Sequence, residues 1–180
     1  MIVNSSSKPP WLFSAIYANP RYVERRLLCE KLESVASLHS MPWIIAGDFN
    51  EVLMGEDKFR GNAVNIHKAL RLQDCLNTCR MIDIRFSGPW YTWSNHRPMS
   101  HLVQERLDKV FVNANWNASY PEAAVHHLAK THSDHCPVKL CFENVGVIQL
   151  TRSFHFQPIW LSHPKFSDVV RDAWSNPTSL

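Results

Sequence analysis

The order of apolar runs in the first third of the chain constrains its fold more than any other feature. "WLFSAIY" (11–17) is a strand-length run that stops at Asn19-Pro20. From Arg21 to His39, the residues Val23, Leu27, Leu28, Leu32, Val35 and Leu38 recur at helical spacing. Arg25, Arg26, Glu30, Lys31 and Glu33 fill the other faces, which predicts an amphipathic helix of about five turns. "WIIAG" (43–47) follows as a second strand. Strand, helix and strand in immediate succession point to an α/β layered fold.

The rest of the chain continues the alternation less cleanly. Residues 51–62 are polar and hold two glycines, which predicts a loop. Residues 63–80 read as a second amphipathic helix, with Ile66, Leu70, Leu72, Leu76 and Cys79 mostly inward. "MIDIRF" reads as a short strand, and "SGPWYTWSNHRP" as a hairpin built from large aromatics and a polar turn. "ERLDKVFVN" is again strand-like, "ASYPEAAVHHL" a loop with a strand, and "SDHCPVKLCFE" a loop feeding a last strand over 137–142. A weak helix is expected near 164–174. Interleaved helices and hairpin-like pieces favour a mixed sheet over an all-parallel one.

Composition narrows the class. The chain has 180 residues, 45% hydrophobic and 19% charged, enough for one domain with a core and too few for two of ordinary size. No run approaches the ~18 apolar residues of a membrane span, and "MIVNSSSKPP" lacks the apolar core of a signal peptide. A net charge of +3 is compatible with a nucleic-acid partner without requiring one. The five cysteines (29, 75, 79, 136 and 141) form no zinc-like pairs. They read as buried small residues in a reduced, intracellular compartment.

Four apolar runs carry polar side chains at their ends: Tyr17 with Asn19, Asp48 with Asn50, Asp108, and Ser133-Asp134-His135. Catalytic groups are commonly held this way by a rigid sheet. Taken one at a time, each has an ordinary reading: Gly-Asp-x-Asn as a turn, Asp108 on a solvated face, Asp134 as a turn cap, Tyr17 as packing. Taken together they suit phosphodiester hydrolysis. A His or Asp base serves an attacking water, with a carboxylate fixing the His ring, and amides, a hydroxyl and a divalent metal meet the phosphate charge.

In their sequence order, "IYANP", "IIAGDFNE", "RLDKVFVN" and "HSDHCPV" resemble the endonuclease/exonuclease/phosphatase superfamily. "GPWYTWSN" and "TRSFHFQPIW" resemble more particularly the endonuclease domain of plant LINE-type (non-LTR) retrotransposons. The resemblance implies a partial four-layer α/β sandwich, two mixed β-sheets flanked by helices, lacking its first strands. It implies a polar leader at 1–10, the superfamily domain at 11–145, and an extension at 146–180 like the linker toward a reverse transcriptase. Catalysis is implied for Asp48, Asn50, Asp108, Asp134 and His135, with either His135 or Asp48 as the base. Tyr17 and Asn50 are implied to bind phosphate, and Trp90, Tyr91 and Trp93 to lie near a DNA face. Mg²⁺ or Mn²⁺ is the implied cofactor, with Asp134 near it, and DNA the implied partner, in the nucleus.

The front of the chain departs from the pattern, in which an Asn strand and a metal-binding Glu precede the tyrosine strand. Here the first acidic residue is Glu24. The expectation is therefore an N-terminally truncated copy with weakened metal binding and impaired DNA nicking. Two alternatives stand beside it: a non-catalytic nucleic-acid-binding protein, and a phosphatase acting on a small phosphorylated molecule.

Overall fold

The computed structural model describes residues 1–4, 8–143 and 165–175. In chain order it shows β1 (Ile2–Val3), β2 (Trp11–Tyr17), α1 (Tyr22–Leu38), β3 (Trp43–Asp48), β4 (Lys58–Phe59), α2 (Ile66–Thr78) and β5 (Met81–Asp83). There follow β6 (Phe86–Ser87), β7 (Trp93–Ser94), β8 (Gln104–Glu105), β9 (Asp108–Asn113), α3 (Ala114–Ser119), β10 (Ala124–His127), β11 (Val138–Cys141) and α4 (Phe166–Ser175). The chain divides into two compact units, Met1–Asn144 and Val145–Leu180. In the second unit the described part is α4, whose Asp168 and Arg171 pair at 3.3 Å one turn apart. The "TRSFHFQPIW" string lies outside the described residues.

The first unit is built on a mixed sheet in the order β1-β2-β3-β9-β5. β2 and β3 run parallel, joined by α1, and β9 lies antiparallel to both β3 and β5. A second mixed sheet has the order β11-β10-β6, and a small antiparallel sheet the order β4-β8-β7. Strand parity assigns the faces, because alternate side chains point to opposite sides. Trp43, Ile45, Met81 and Phe111 point toward α1 and α2 and join Leu32, Leu72, Cys75 and Leu76 in one core. Trp11, Ile44, Val110 and Val112 point the other way and meet Phe86, Val125, Val138 and Leu140 of the second sheet, with Trp116 and Tyr120. Helix pair, sheet and sheet are thus three layers of the α/β sandwich expected from the sequence.

Several local expectations change. The leader contributes β1, paired antiparallel with β2. The predicted loop at 51–62 contains β4 and a 3₁₀ turn at Gly55–Asp57. "MIDIRF" is not one strand: β5 pairs with β9 while β6 pairs with β10, so the run crosses between sheets. α3 was not foreseen; Asn113 starts it by accepting from the Trp116 amide at 2.9 Å. α1 buries Arg25, Cys29 and Leu32 and leaves Val23, Leu27 and Leu38 exposed. Arg25 turns that face inward because its guanidinium bonds the Asn19 and Pro20 carbonyls and pairs with Glu51 at 2.6 Å. On α2, Leu72, Leu76 and the following Cys79 are buried as expected, whereas Ile66 and Leu70 are exposed and Ala69 and Cys75 are buried in their place. The five cysteines are free thiols, four of them buried.

Candidate active site

Tyr17, Asp48 and Asp108 stand side by side at one edge of the central sheet. Tyr17 pairs with Asp48 across the parallel strands, and Asp48 pairs with Asp108 across the antiparallel ones. Directly opposite residues of an antiparallel pair have Cα atoms about 4.5–5.5 Å apart. Parity puts all three on the side that carries Ile44, Val110 and Val112, toward the second sheet. Two strand ends and one strand start therefore deliver three polar groups to one floor.

Gly47 makes the close pairing of β2 and β3 possible. Its φ is +140°, and a Cβ there would lie 2.0 Å from the Ile16 carbonyl oxygen. Past the strand end the chain turns back at Asn50, φ +48°, a left-handed conformation that asparagine tolerates. The turn locks the first carboxylate. The Asn50 amide N–H donates to Asp48 Oδ1 and its side-chain Nδ2 to Asp48 Oδ2, both at 2.8 Å. Asn50 Nδ2 also donates to the Ala18 carbonyl at 2.8 Å. Both Nδ2 protons are thus spent within the protein, so Asn50 acts in this structure to position Asp48. Burial holds the Asp48 carboxyl above its usual range against the lowering effect of the Asn50 amide, and Asp108 adds to the rise.

The second carboxylate orients a ring. Asp108 Oδ2 accepts from His135 Nδ1 at 2.8 Å, which leaves Nε2 to face outward chemistry. The loop carrying His135 is fastened to the central sheet through the 90–94 segment. The Cys136 amide donates to the Thr92 carbonyl at 2.7 Å, and the Ser94 amide to the Asp134 carbonyl at 3.1 Å. Thr92 is fully buried, and its Oγ1 accepts from both the Leu107 and Asp108 amides at 3.0 Å. One hydroxyl therefore fixes the backbone of Asp108. Nothing in the sequence sets Thr92 apart from the aromatics around it.

Trp93 donates from Nε1 to Asp134 Oδ2 at 3.0 Å, and this bond holds the exposed Asp134 carboxyl below its usual range. Of the three aromatics expected near DNA, Trp93 thus stands in the site. Trp90 lies apart, bonded to the Glu56 carbonyl, and Tyr91 packs toward Phe59 with ring centroids 6.3 Å apart. Tyr17 is 83% exposed at the rim. Beneath the floor, Lys109 pairs with Asp57 at 3.5 Å and donates to the Arg106 carbonyl, and burial holds its amine down to about 8.

A divalent cation needs several oxygen donors. Among the described residues no three His, Cys, Asp or Glu side chains converge on one point. These residues do not complete a metal shell by themselves.

The family model for the endonuclease/exonuclease/phosphatase family matches residues 6–153. No curated protein matches the chain. Among solved structures, it resembles the endonuclease domain of TRAS1, a telomere-specific non-LTR retrotransposon, with TM-score 0.55 and 15% identity over 77% of this chain and 60% of that one. It also resembles the 3′ phosphatase NExo from Neisseria, solved with a product DNA hairpin (TM-score 0.53, 20% identity, 67% of this chain and 52% of that one). A third likeness is to beta toxin from Staphylococcus aureus (0.52, 13%, 78% and 55%). At these identities the likeness is one of fold. The chain spans between half and two thirds of the length of each.

Proposed function

The chain belongs to the endonuclease/exonuclease/phosphatase family, and from that membership we propose that it hydrolyses phosphodiester bonds in DNA. The observation that carries the reading is the 2.8 Å hydrogen bond between Asp108 and His135, beside an Asp48 that is pinned by Asn50. With Nδ1–H held by Asp108, His135 Nε2 accepts the proton of an attacking water as its oxygen bonds to phosphorus; the opposite P–O ester bond breaks, and the departing oxygen leaves as a strand-end hydroxyl after taking a proton from solvent. Asp48 orients that water, and Tyr17 contacts a phosphate oxygen. Asp134, held by Trp93, lies at the edge of the phosphate path.

DNA as substrate is supported by the TRAS1 endonuclease domain and the DNA-bound Neisseria phosphatase among the similar folds. The LINE-type strings "GPWYTWSN" and "TRSFHFQPIW" support a retrotransposon origin, a nuclear place of work, and a division into a domain at 11–145 and an extension at 146–180. The incomplete donor set supports weak binding of Mg²⁺ or Mn²⁺ by these residues, and hence impaired nicking.

The test is plasmid nicking by the 180-residue chain over a range of Mg²⁺ and Mn²⁺ concentrations. Slow nicking that keeps rising into millimolar metal is expected. His135→Ala and Asp108→Asn should each lower it by about 10²–10⁴-fold while leaving the fold intact by circular dichroism. An uncut plasmid at every metal concentration would remove the hydrolase reading. If that plasmid were nevertheless bound, a non-catalytic DNA-binding role would take its place.

A further inference from the structure

We infer that the cavity walled by Trp90 and Phe86 is a nucleobase site, taking an amino-bearing base of a DNA strand that lies across the catalytic floor. The inference rests on the DNA reading above and adds a specificity pocket to it. The cavity, about 430 Å³, has Trp90, Phe86, Asp83, Arg85, Glu56 and Arg106 among its lining residues. Two of the segments that line it lead into the catalytic floor: Trp90 stands two residues before Thr92, and Arg106 two before Asp108.

Trp90 is half exposed yet held from three directions. Its Nε1 donates to the Glu56 carbonyl at 2.9 Å, and its ring meets Phe86 edge-on at 5.3 Å. Its backbone follows a bend pressed against β10. Gly88, at φ +99°, has no room for a Cβ beside the His127 carbonyl, and His127 Nδ1 donates to the Pro89 carbonyl at 2.8 Å. Phe86 cannot offer its faces to a ligand: it stacks on His127 at 4.2 Å, and the Arg106 guanidinium lies 4.9 Å from its centroid. The indole is the open aromatic surface of the cavity, and it is immobilised before any ligand arrives, which lowers the ordering cost of stacking.

Charge selects the ligand. Arg106 is committed to Asp57 and Asp83, so it gives no free cation to the cavity. The Asp83 side chain keeps 29% of its surface exposed, and a carboxylate accepts from the exocyclic amino group of adenine or cytosine. Thymine has no such group.

The experiment uses the full chain carrying His135→Ala, so that substrate is bound and not consumed, with ¹⁵N-labelled tryptophan. The Trp90 indole N–H signal is assigned through Trp90→Phe. It is followed on adding deoxyadenosine, thymidine, or a short oligothymidine with and without one central adenine. Deoxyadenosine and the adenine-containing strand should both shift the signal, the strand at lower concentration, and thymidine should not. Trp90→Ala should weaken strand binding about tenfold, with Trp90→Phe retaining most of it. An unmoved signal, or equal responses to adenine and thymine, overturns the nucleobase site. A free nucleoside that binds as well as the strand overturns the assignment to DNA. A plasmid nicked by the native chain while Trp90 stays silent leaves hydrolysis standing and removes only this pocket.

Discussion

At Gly47 a single missing carbon decides whether two strands can pair. An added Cβ would sit 2.0 Å from the Ile16 oxygen, on a backbone at φ +140° that other residues avoid. Gly47→Ala should therefore cost at least about 3 kcal/mol in urea unfolding, far above a surface Gly→Ala change. A stability within 1 kcal/mol of the native chain, taken as roughly the average point-mutant effect, would show that the strands relax around it. Lys109 offers a second test, in its titration. Burial lowers it from 10.5 to about 8, so between those values the unfolded chain holds a proton that the folded chain has released. Stability from this group rises with pH across that window and is flat below it. The native chain should gain on Lys109→Met as pH goes from 8 to 10.5, measured by denaturant unfolding. A flat or falling difference would contradict the burial account. Asp48, Asn50, Asp108 and His135 were legible in the sequence because each ends or begins an apolar run. Lys109 was not, because a lysine in a strand ordinarily faces water.

At the scale of elements, the segment 90–94 does the positioning. Thr92 Oγ1 accepts two amides, and the Thr92 carbonyl accepts the Cys136 amide, so one residue sets the separation of Asp108 from His135. Thr92→Val keeps the shape and strands the buried Leu107 N–H, which should cost about 1–3 kcal/mol, together with the part-buried Asp108 N–H. Nicking should fall further than stability alone explains, through loss of the His135 alignment, and Thr92→Ser should restore both. If the valine variant nicked like the native chain, Thr92 would be packing only. The helices show where periodicity misleads. Apolar spacing put Val23, Leu27 and Leu38 inward on α1, yet the buried face contains Arg25. Spacing counts hydrophobic residues and is blind to a partner such as Glu51, which is distant in sequence and meets Arg25 only when the layers close. "MIDIRF" failed for a related reason: its division between two sheets depends on β9 and β10, which lie far along the chain.

Across the Met1–Asn144 unit, one sheet serves two cores. Ile44 and Ile45 are adjacent and both fully buried, the first between the sheets and the second under the helices. Ile44→Ala and Ile45→Ala should each cost about 2–5 kcal/mol. Both should move the same cooperative transition, seen alike by circular dichroism and tryptophan fluorescence. Two transitions, each sensitive to one variant, would show the cores melting separately. The sequence by itself determined the α/β class, the strand–helix–strand start, and which polar residues stand at strand ends, because those properties are local and follow from periodicity and turn chemistry. Only the tertiary structure decided that Tyr17, Asp48 and Asp108 are lateral neighbours on one face, that Asn50 spends its amide on Asp48, and that Thr92 and Trp93 hold the His135 loop. Those facts depend on strand order, register and parity between segments up to a hundred residues apart, and only the closing of the sheet sets them.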